Sequence, residues 1–304
     1  MTMVLSQPLY ELAQATSPEV ANGLENMNLF RAIVLGIVQG LTEFLPISST
    51  AHVKVVPVVL GWGDPGVAFT AVIQLGSIAA ILWYFWDDLR QVTGGMFHAV
   101  REGKYDSTDF RLGLGILLGT IPIVVCGLAI KVFIPDFDNS PLRNSSTIAI
   151  VSIVMALLLA GAEVWGRRKR SFDALDMKDG ITMGLAQALA LIPGVSRSGS
   201  TLTAGLFMGL ERSTAARFSF LLGIPAITLA GLVELKGLLD GNMGAIGLGP
   251  LIGGLIAAVV SSYLAIFWLI RFLKRHSTWV FVWYRLAFGV AILLAIATGH
   301  MANL

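Results

Sequence analysis

Three ionisable side chains fall in the middle of strongly apolar stretches of this sequence. They are a carboxylate at Glu43, an imidazole at His52 and a guanidinium at Arg197. A charge at the centre of a membrane helix costs about 2.5–3.5 kcal/mol on insertion scales, so such groups are usually retained for a function. The economical explanation is one shared polar cavity, in which the planar guanidinium matches the oxygens of a phosphate group.

Hydroxyl groups and glycines surround these charged residues in two short polar segments. The first segment (residues 39–50) ends in three hydroxyl residues just before His52, and the second (residues 193–201) surrounds Arg197. Hydroxyls add hydrogen-bond donors, and helices that begin at these segments would aim free N–H groups at the same anion. We predict that the following residues bind phosphate: Ser48, Thr50, Gly194, Ser196, Ser198 and Thr201.

One further polar side chain, Gln39, lies four residues before Glu43, so the two share one face of a helix. Such a pair is suited to hold a hard divalent cation or to position a water molecule. Glu163, Glu234 and Arg285 also occur in apolar sequence. We expect these three residues near helix ends, where the carboxylates can reach water.

The composition places the whole chain in a membrane. Of the 304 residues, 55% are hydrophobic and 13% are charged, and the mean hydropathy is +0.77. A soluble domain would carry about twice that charge, which excludes a soluble enzyme, a disordered protein and a nucleic-acid binder. Apolar stretches long enough to cross roughly 30 Å of hydrocarbon predict spanning helices. They are residues 66–86, 112–134, 147–166, 214–236, 244–270 and 279–298.

Two other apolar regions are interrupted by a proline and a polar segment. Residues 29–60 are broken at Pro46, and residues 179–210 are broken at Pro193. The second arm of each region would cover only roughly 15–18 Å, about half a bilayer. We therefore predict two re-entrant hairpins, broken helices that enter and leave on the same side, with the polar segments at their tips.

Positive charges set the predicted topology. Loops 87–111, 167–178 and 271–278 are rich in Lys and Arg and are therefore expected on the cytoplasmic side. Hairpin 29–60 must then enter from outside and hairpin 179–210 from inside. The fold class is predicted as an all-α integral membrane protein, a polytopic helical bundle with an inverted-topology repeat and two re-entrant broken-helix hairpins.

The two hairpins also resemble each other in sequence. Gln39 and Gln187 are 148 residues apart, as are Ser48 and Ser196. In inverted repeats, the site lies near the midplane, where broken helices of the two halves meet. Each half combines one hairpin with three spanning helices. The predicted division is an N-terminal extension over residues 1–28, a first repeat over 29–166 and a second repeat over 167–304.

These motifs resemble the bacterial undecaprenyl-diphosphate phosphatases, also called the bacitracin-resistance protein family. The family's motif of Glu or Gln, three residues and then Glu matches Gln39 and Glu43. Its Phe-Leu-Pro-x-Ser-Ser-Thr-x-His motif matches residues 44–52, and its Pro-Gly-x-Ser-Arg-Ser-x-x-Thr motif matches residues 193–201. The resemblance covers about residues 29–300. Gln39 stands where some members have Glu, so it cannot be a charged metal ligand here.

The resemblance implies a plasma-membrane hydrolase that removes the terminal phosphate from undecaprenyl diphosphate and so recycles the lipid carrier of cell-wall synthesis. It also implies Mg²⁺ or Ca²⁺ dependence and resistance to bacitracin. The expected partners are the isoprenoid diphosphate substrate and membrane lipids, with a homodimer as a further candidate assembly. The active site is expected to face the external side, because the first hairpin enters from there.

The matched residues suggest catalytic roles. Arg197, with the neighbouring hydroxyls, would clamp the diphosphate and stabilise charge on the transferring phosphoryl group. Glu43, helped by Gln39, would hold the metal or orient the nucleophile. His52 would act as general acid/base or nucleophile, with Ser49 as a competing nucleophile and a metal-bound water as the third alternative.

An alternative function comes from the architecture itself. Inverted repeats with broken helices at mid-depth are common in transporters. The same cavity could flip a phosphorylated isoprenoid carrier without hydrolysing it. Phosphate release by protein in detergent discriminates the two functions, because a pure flippase releases none.

Overall fold

The computed structural model describes residues 27–134, 137, 140–240, 246–301 and 303, so the extension predicted over residues 1–28 lies almost entirely outside them. This part of the chain folds into eleven α-helices. They are α1 Leu29–Phe44, α2 Ser49–Val59, α3 Gly66–Tyr84, α4 Trp86–Glu102, α5 Thr108–Phe133, α6 Ser145–Trp165, α7 Met177–Ala188, α8 Arg197–Phe207, α9 Arg212–Asp240, α10 Leu248–Leu273 and α11 Trp279–Ala297.

The predicted polytopic helical fold is confirmed. Helices α5, α6, α9, α10 and α11 are each long and apolar enough to cross a membrane, and the bent pair α3–α4 passes the same test as one unit. Each of the six predicted spanning stretches coincides with one of these helices or with α3, shifted by a few residues at the ends.

The region between α3 and α5 differs from its prediction as a loop, because residues 86–102 form α4, which is bent by 66° from α3. This helix buries Val92 and Ala99, which are seven residues apart and share one face. It begins with two aspartates and ends at Gly103, whose φ of +70° closes the helix. Five of its 17 residues are charged, so hydropathy alone does not identify it.

Both broken helices form as predicted, and their breaks have the same backbone geometry. The residue before α2 is Ser48, with φ +75°, and the residue before α8 is Ser196, with φ +70°. A non-glycine residue in this region costs on the order of 1–3 kcal/mol and persists only where the surrounding structure imposes it. Helices α2 and α8 each have 11 residues, which matches two copies of one unit.

Each broken helix packs against a spanning helix of the other predicted repeat. Helix α1 packs most closely on α10, and α7 packs most closely on α5. A Cβ on Gly36 would lie 2.3 Å from the Gly254 carbonyl oxygen, and one on Gly184 would lie 2.1 Å from the Gly119 carbonyl oxygen. Small residues permit such approach between membrane helices. This reciprocal arrangement is expected of an inverted repeat, and the boundary at residues 166/167 stays a prediction.

Glu163 was expected to reach water at the end of α6, and this expectation is wrong because two loops fold over that end. The carboxylate is only 4% exposed. It accepts hydrogen bonds from Arg212 Nε at 3.0 and 3.1 Å and from Thr278 Oγ1 at 2.8 Å. The loop after α6 is held in a similar way, since Arg170 donates to both carboxylate oxygens of Asp179 at 2.8 and 2.6 Å. That hydrogen-bonded ion pair raises the pKa of Arg170.

Candidate active site

The two breaks meet, and their charged residues form an ion pair. Arg197 Nη2 lies 3.4 Å from Glu43 Oε1, and both side chains are less than 10% exposed. Glu43 belongs to the last turn of α1, whereas Arg197 is the first residue of α8. The structure therefore brings together two of the three charged residues on which the sequence prediction rested, although they are far apart in the chain.

The other carboxylate oxygen of Glu43 faces hydrogen-bond donors. Ser49 Oγ donates to Glu43 Oε2 at 2.7 Å, and Gln39 Nε2 donates to the same oxygen at 3.2 Å. Gln39 Nε2 also donates to Gln74 Oε1 on α3. Gln74 was not among the predicted site residues, and its signal was a polar residue inside an otherwise apolar span. A hydroxyl beside a carboxylate is the arrangement of a nucleophile and its base.

The guanidinium of Arg197 keeps unused donors. Its Nε and Nη1 atoms are buried and have no hydrogen-bond partner. Buried donors in native structures are nearly always satisfied by protein, water or ligand. The guanidinium lies against Gly223 of α9, where an added Cβ would be 1.8 Å from Nη1. An anion that brings acceptor oxygens to these donors would satisfy them.

The hydroxyls of the second break serve the backbone instead. Ser196 Oγ accepts from the Gly199 amide at 3.1 Å and so caps α8. Ser198 Oγ donates to the Leu45 carbonyl at 3.1 Å, which ties the two breaks together, and Thr201 Oγ1 donates to the Arg197 carbonyl at 2.8 Å. Phosphate binding by these three hydroxyls stays a prediction, and it requires Ser198 and Thr201 to redirect their protons from backbone carbonyls.

The first break leaves its helix end open. Ser48, the N-cap of α2, makes no side-chain capping hydrogen bond, and its side chain is buried. Thr50 in the first turn of α2 is exposed, and Ser49 is half-buried. An uncapped helix N-terminus beside an arginine with free donors favours an anion.

His52 lies in the same helix but points elsewhere. Its Nδ1 is 2.7 Å from the Ser48 carbonyl oxygen, and its Nε2 is 2.7 Å from the Tyr284 hydroxyl. The ring also stacks on Phe288 with centroids 4.3 Å apart and is 4% exposed as a residue. Both ring nitrogens are therefore engaged away from the Glu43–Arg197 pair, and the catalytic role predicted for His52 stays a prediction.

Arg285 is the site residue that the sequence analysis placed incorrectly. We expected it near a helix end, but it is 1% exposed in the interior of α11. Its guanidinium donates to the carbonyls of Pro46 at 3.1 Å, Gly194 at 2.7 Å and Val195 at 3.1 Å. Its position as the one basic residue within the 279–298 stretch was the available signal.

The oxygen donors around Glu43 fit a weakly held divalent cation. Within the described ranges, no three His, Cys, Asp or Glu side chains come together as a metal site. Glu43 can still supply carboxylate oxygen and the Gln74 amide can supply neutral oxygen, whereas Gln39 presents its Nε2 to both, so its predicted role as a metal ligand stays a prediction. Mg²⁺ is commonly held by one or two carboxylates plus substrate phosphates and water. This donor set therefore suits a cation that arrives with the phosphorylated substrate.

The sequence matches a known protein family and named relatives over most of its length. The family described as "Bacitracin resistance protein BacA" matches residues 32–291. Proteins named undecaprenyl-diphosphatase are similar over nearly the whole chain. One from Trichodesmium erythraeum is 59% identical over 99% of this chain and 97% of its own length. One from Synechocystis sp. is 63% identical over 98% and 91%, and one from Nostoc sp. is 64% identical over 96% and 92%.

A match across most of the chain, at this level of identity, includes both broken helices and the helices that pack on them. This chain belongs to the bacitracin resistance protein BacA family.

Proposed function

We propose that this chain hydrolyses undecaprenyl diphosphate to undecaprenyl phosphate and inorganic phosphate within the membrane. The names of its relatives supply the substrate. The observation that carries the proposal is the buried Arg197, whose Nε and Nη1 donors have no acceptor, next to the Ser49–Glu43 pair. This geometry supports phosphoryl transfer over mere lipid flipping, because it joins an anion clamp to a nucleophile and a base.

Ser49 is the nucleophile that the geometry supports best. Its Oγ attacks the terminal phosphorus while its proton passes to Glu43, and the bond to the bridging oxygen breaks to release the isoprenoid monophosphate. Water then cleaves the phosphoserine, which yields inorganic phosphate and restores the hydroxyl. Arg197 stabilises the charge on the equatorial phosphoryl oxygens in both steps. A bound divalent cation would add charge neutralisation on the phosphates.

The test is phosphate release from undecaprenyl diphosphate by purified protein in detergent. We expect Glu43→Gln to lower turnover by at least about 10²-fold, the usual scale for an acid/base group, with Glu102→Gln as an exposed control. Arg197→Lys keeps the charge but loses the fork, so we expect a strong loss there too. Absence of phosphate release by the native protein would favour the flippase.

The nucleophile is tested separately by trapping the covalent intermediate. Rapid quenching in denaturing detergent at neutral pH, which preserves both phosphoserine and phosphohistidine, followed by peptide mapping, should place the phosphate on Ser49. A phosphohistidine at His52 would replace Ser49 in the mechanism, and no covalent adduct would favour direct attack by water.

We also propose that the protein resides in the bacterial plasma membrane with its site open to the external side. The support is the charge distribution of the loops and the exposure of Thr50 at the mouth of the first break. In proteoliposomes of known orientation, an impermeant maleimide added to the external face should label Thr50→Cys in a Cys126→Ser background and block turnover. Labelling from the cytoplasmic face alone would reverse the orientation.

A further inference from the structure

Helix α11 contacts both breaks through two consecutive residues. Arg285 donates hydrogen bonds to carbonyls of the first break and of the second, and its Nε donates to the Ser152 carbonyl at 3.2 Å. The breaks interrupt helical hydrogen bonding, so their carbonyls need other donors in a membrane. One guanidinium thus satisfies acceptors on three separate segments, which ties the breaks together.

Tyr284 reaches the first break through His52. A carbonyl oxygen can only accept, so the 2.7 Å contact with Ser48 requires a proton on His52 Nδ1. In a neutral ring with that proton, Nε2 accepts a hydrogen bond from the Tyr284 hydroxyl, also at 2.7 Å. The rings of Tyr284, His52 and Phe288 lie nearly parallel, within 15° of one another. The imidazole is thereby fixed in one tautomer and one orientation.

The backbone that Tyr284 and Arg285 hold in place determines the orientation of the reacting side chains, Ser49 and Arg197. Ser48 and Ser196 have positive φ, and each directly precedes a reacting residue, Ser49 in the first break and Arg197 in the second. A strained serine that relaxed would turn the next side chain away from Glu43. Arg285 holds the carbonyls just before Ser196 and His52 holds the carbonyl of Ser48 itself.

We propose that Tyr284 and Arg285 are positioning residues that fix the two breaks. In this proposal His52 links the Tyr284 hydroxyl to the Ser48 carbonyl through its two hydrogen bonds and does not transfer a proton. This proposal rests on the proposed function for its kinetic consequences. Its structural consequence, the orientation of side chain 49, can be measured without turnover.

The experiment uses the full chain with Cys126→Ser and Ser49→Cys, in which the alkylation rate of the new thiol reports its orientation. Adding Tyr284→Phe retains the stacked ring but removes the hydroxyl, and we expect the alkylation rate to change at least about threefold. The matched control is Tyr263→Phe, since Tyr263 packs on Trp83 and Tyr84 instead of a break. An unchanged alkylation rate in the Tyr284→Phe protein overturns the proposal even if no phosphatase activity is found.

Turnover is then measured in the chain that retains Ser49. We expect Tyr284→Phe to lower kcat about tenfold, the scale of one lost buried hydrogen bond, with KM within about twofold and an unchanged pH profile. Arg285→Lys should lower kcat further, because a point donor cannot span carbonyls on three segments. Native kcat in Tyr284→Phe would contradict the proposal.

His52→Gln separates positioning from proton transfer. A glutamine has a donor and an acceptor, so it can partly replace the link between Tyr284 and Ser48. We expect residual turnover with the native pH profile and an altered alkylation rate at position 49. Complete loss of turnover with a native alkylation rate would assign proton transfer to His52 and overturn its positioning role.

Discussion

A single methyl group at Gly223 should disable the anion clamp while leaving the fold intact. The Cβ of Gly223→Ala would lie 1.8 Å from Arg197 Nη1 and 2.8 Å from its Cζ, whereas ordinary contacts begin near 3.4 Å. The guanidinium must therefore retreat by more than an ångström. Since its Nε and Nη1 have no protein acceptor, this movement breaks no hydrogen bond that those two atoms make to the fold.

The displaced guanidinium lowers kcat/KM, because it makes fewer hydrogen bonds to the bound substrate. A hydrogen bond to a charged group contributes roughly 1.5–3 kcal/mol, and each 1.36 kcal/mol is tenfold in rate. Loss of one such bond to the phosphoryl oxygens should lower kcat/KM by about 10- to 150-fold. The melting temperature should stay the same or rise, because alanine favours a helix interior by up to about 1 kcal/mol over glycine.

The assay is phosphate release in detergent together with thermal unfolding. Gly94→Ala in α4 is the matched control, since nothing lies within 4 Å of its added Cβ. The double variant Gly223→Ala with Arg197→Lys should have a kcat/KM no lower than that of Arg197→Lys alone, because a lysine has no Nη1 to displace. Native kcat/KM in Gly223→Ala, or losses that add in the double variant, would refute the reasoning.

Two further predictions concern the topology and one loop. In a Cys126→Ser background, an external impermeant maleimide should label Leu142→Cys and leave Lys104→Cys unmodified, and the reverse pattern would invert the topology. Arg170→Ala should destabilise the protein by about 1–3 kcal/mol, because it leaves the carboxylate of Asp179, 3% exposed, without its bidentate partner. Unfolding in detergent measures this loss, and phosphate release should be unchanged; an unaltered melting temperature would contradict the assigned role of the pair.

Much of the architecture could be predicted because membrane insertion depends on local features. Spanning helices follow from apolar length, and the breaks follow from Pro46 and Pro193 in apolar runs followed by hydroxyls. Helix α4 escaped prediction because its buried face is narrow: Val92 and Ala99 are embedded among charged and polar residues. The positive charges of the segment 87–111 indicated a side of the membrane but not a secondary structure.

The sequence identified the charged residues of the site but not all of their contacts. Glu43 and Arg197 were identifiable since an intramembrane charge needs a partner. The direction in which His52 points depends on Tyr284, which is distant in sequence, so no local pattern contains it. Arg285 was misplaced because the sequence shows how far a residue lies from a helix end but not that two carbonyl-rich breaks converge on it.

The reciprocal packing of the broken helices has a consequence for biogenesis. Helix α7 emerges when α5, its main partner, is already in the membrane, whereas α1 emerges long before its main partner α10. Contacts between segments so distant in sequence form late and slowly. Until then the face of α1 that carries Gly36 and Gly40 lacks the α10 surface against which it packs. The first hairpin therefore completes its packing only after α10 is made, and a chain truncated before α10 would leave these two glycines without their partner helix.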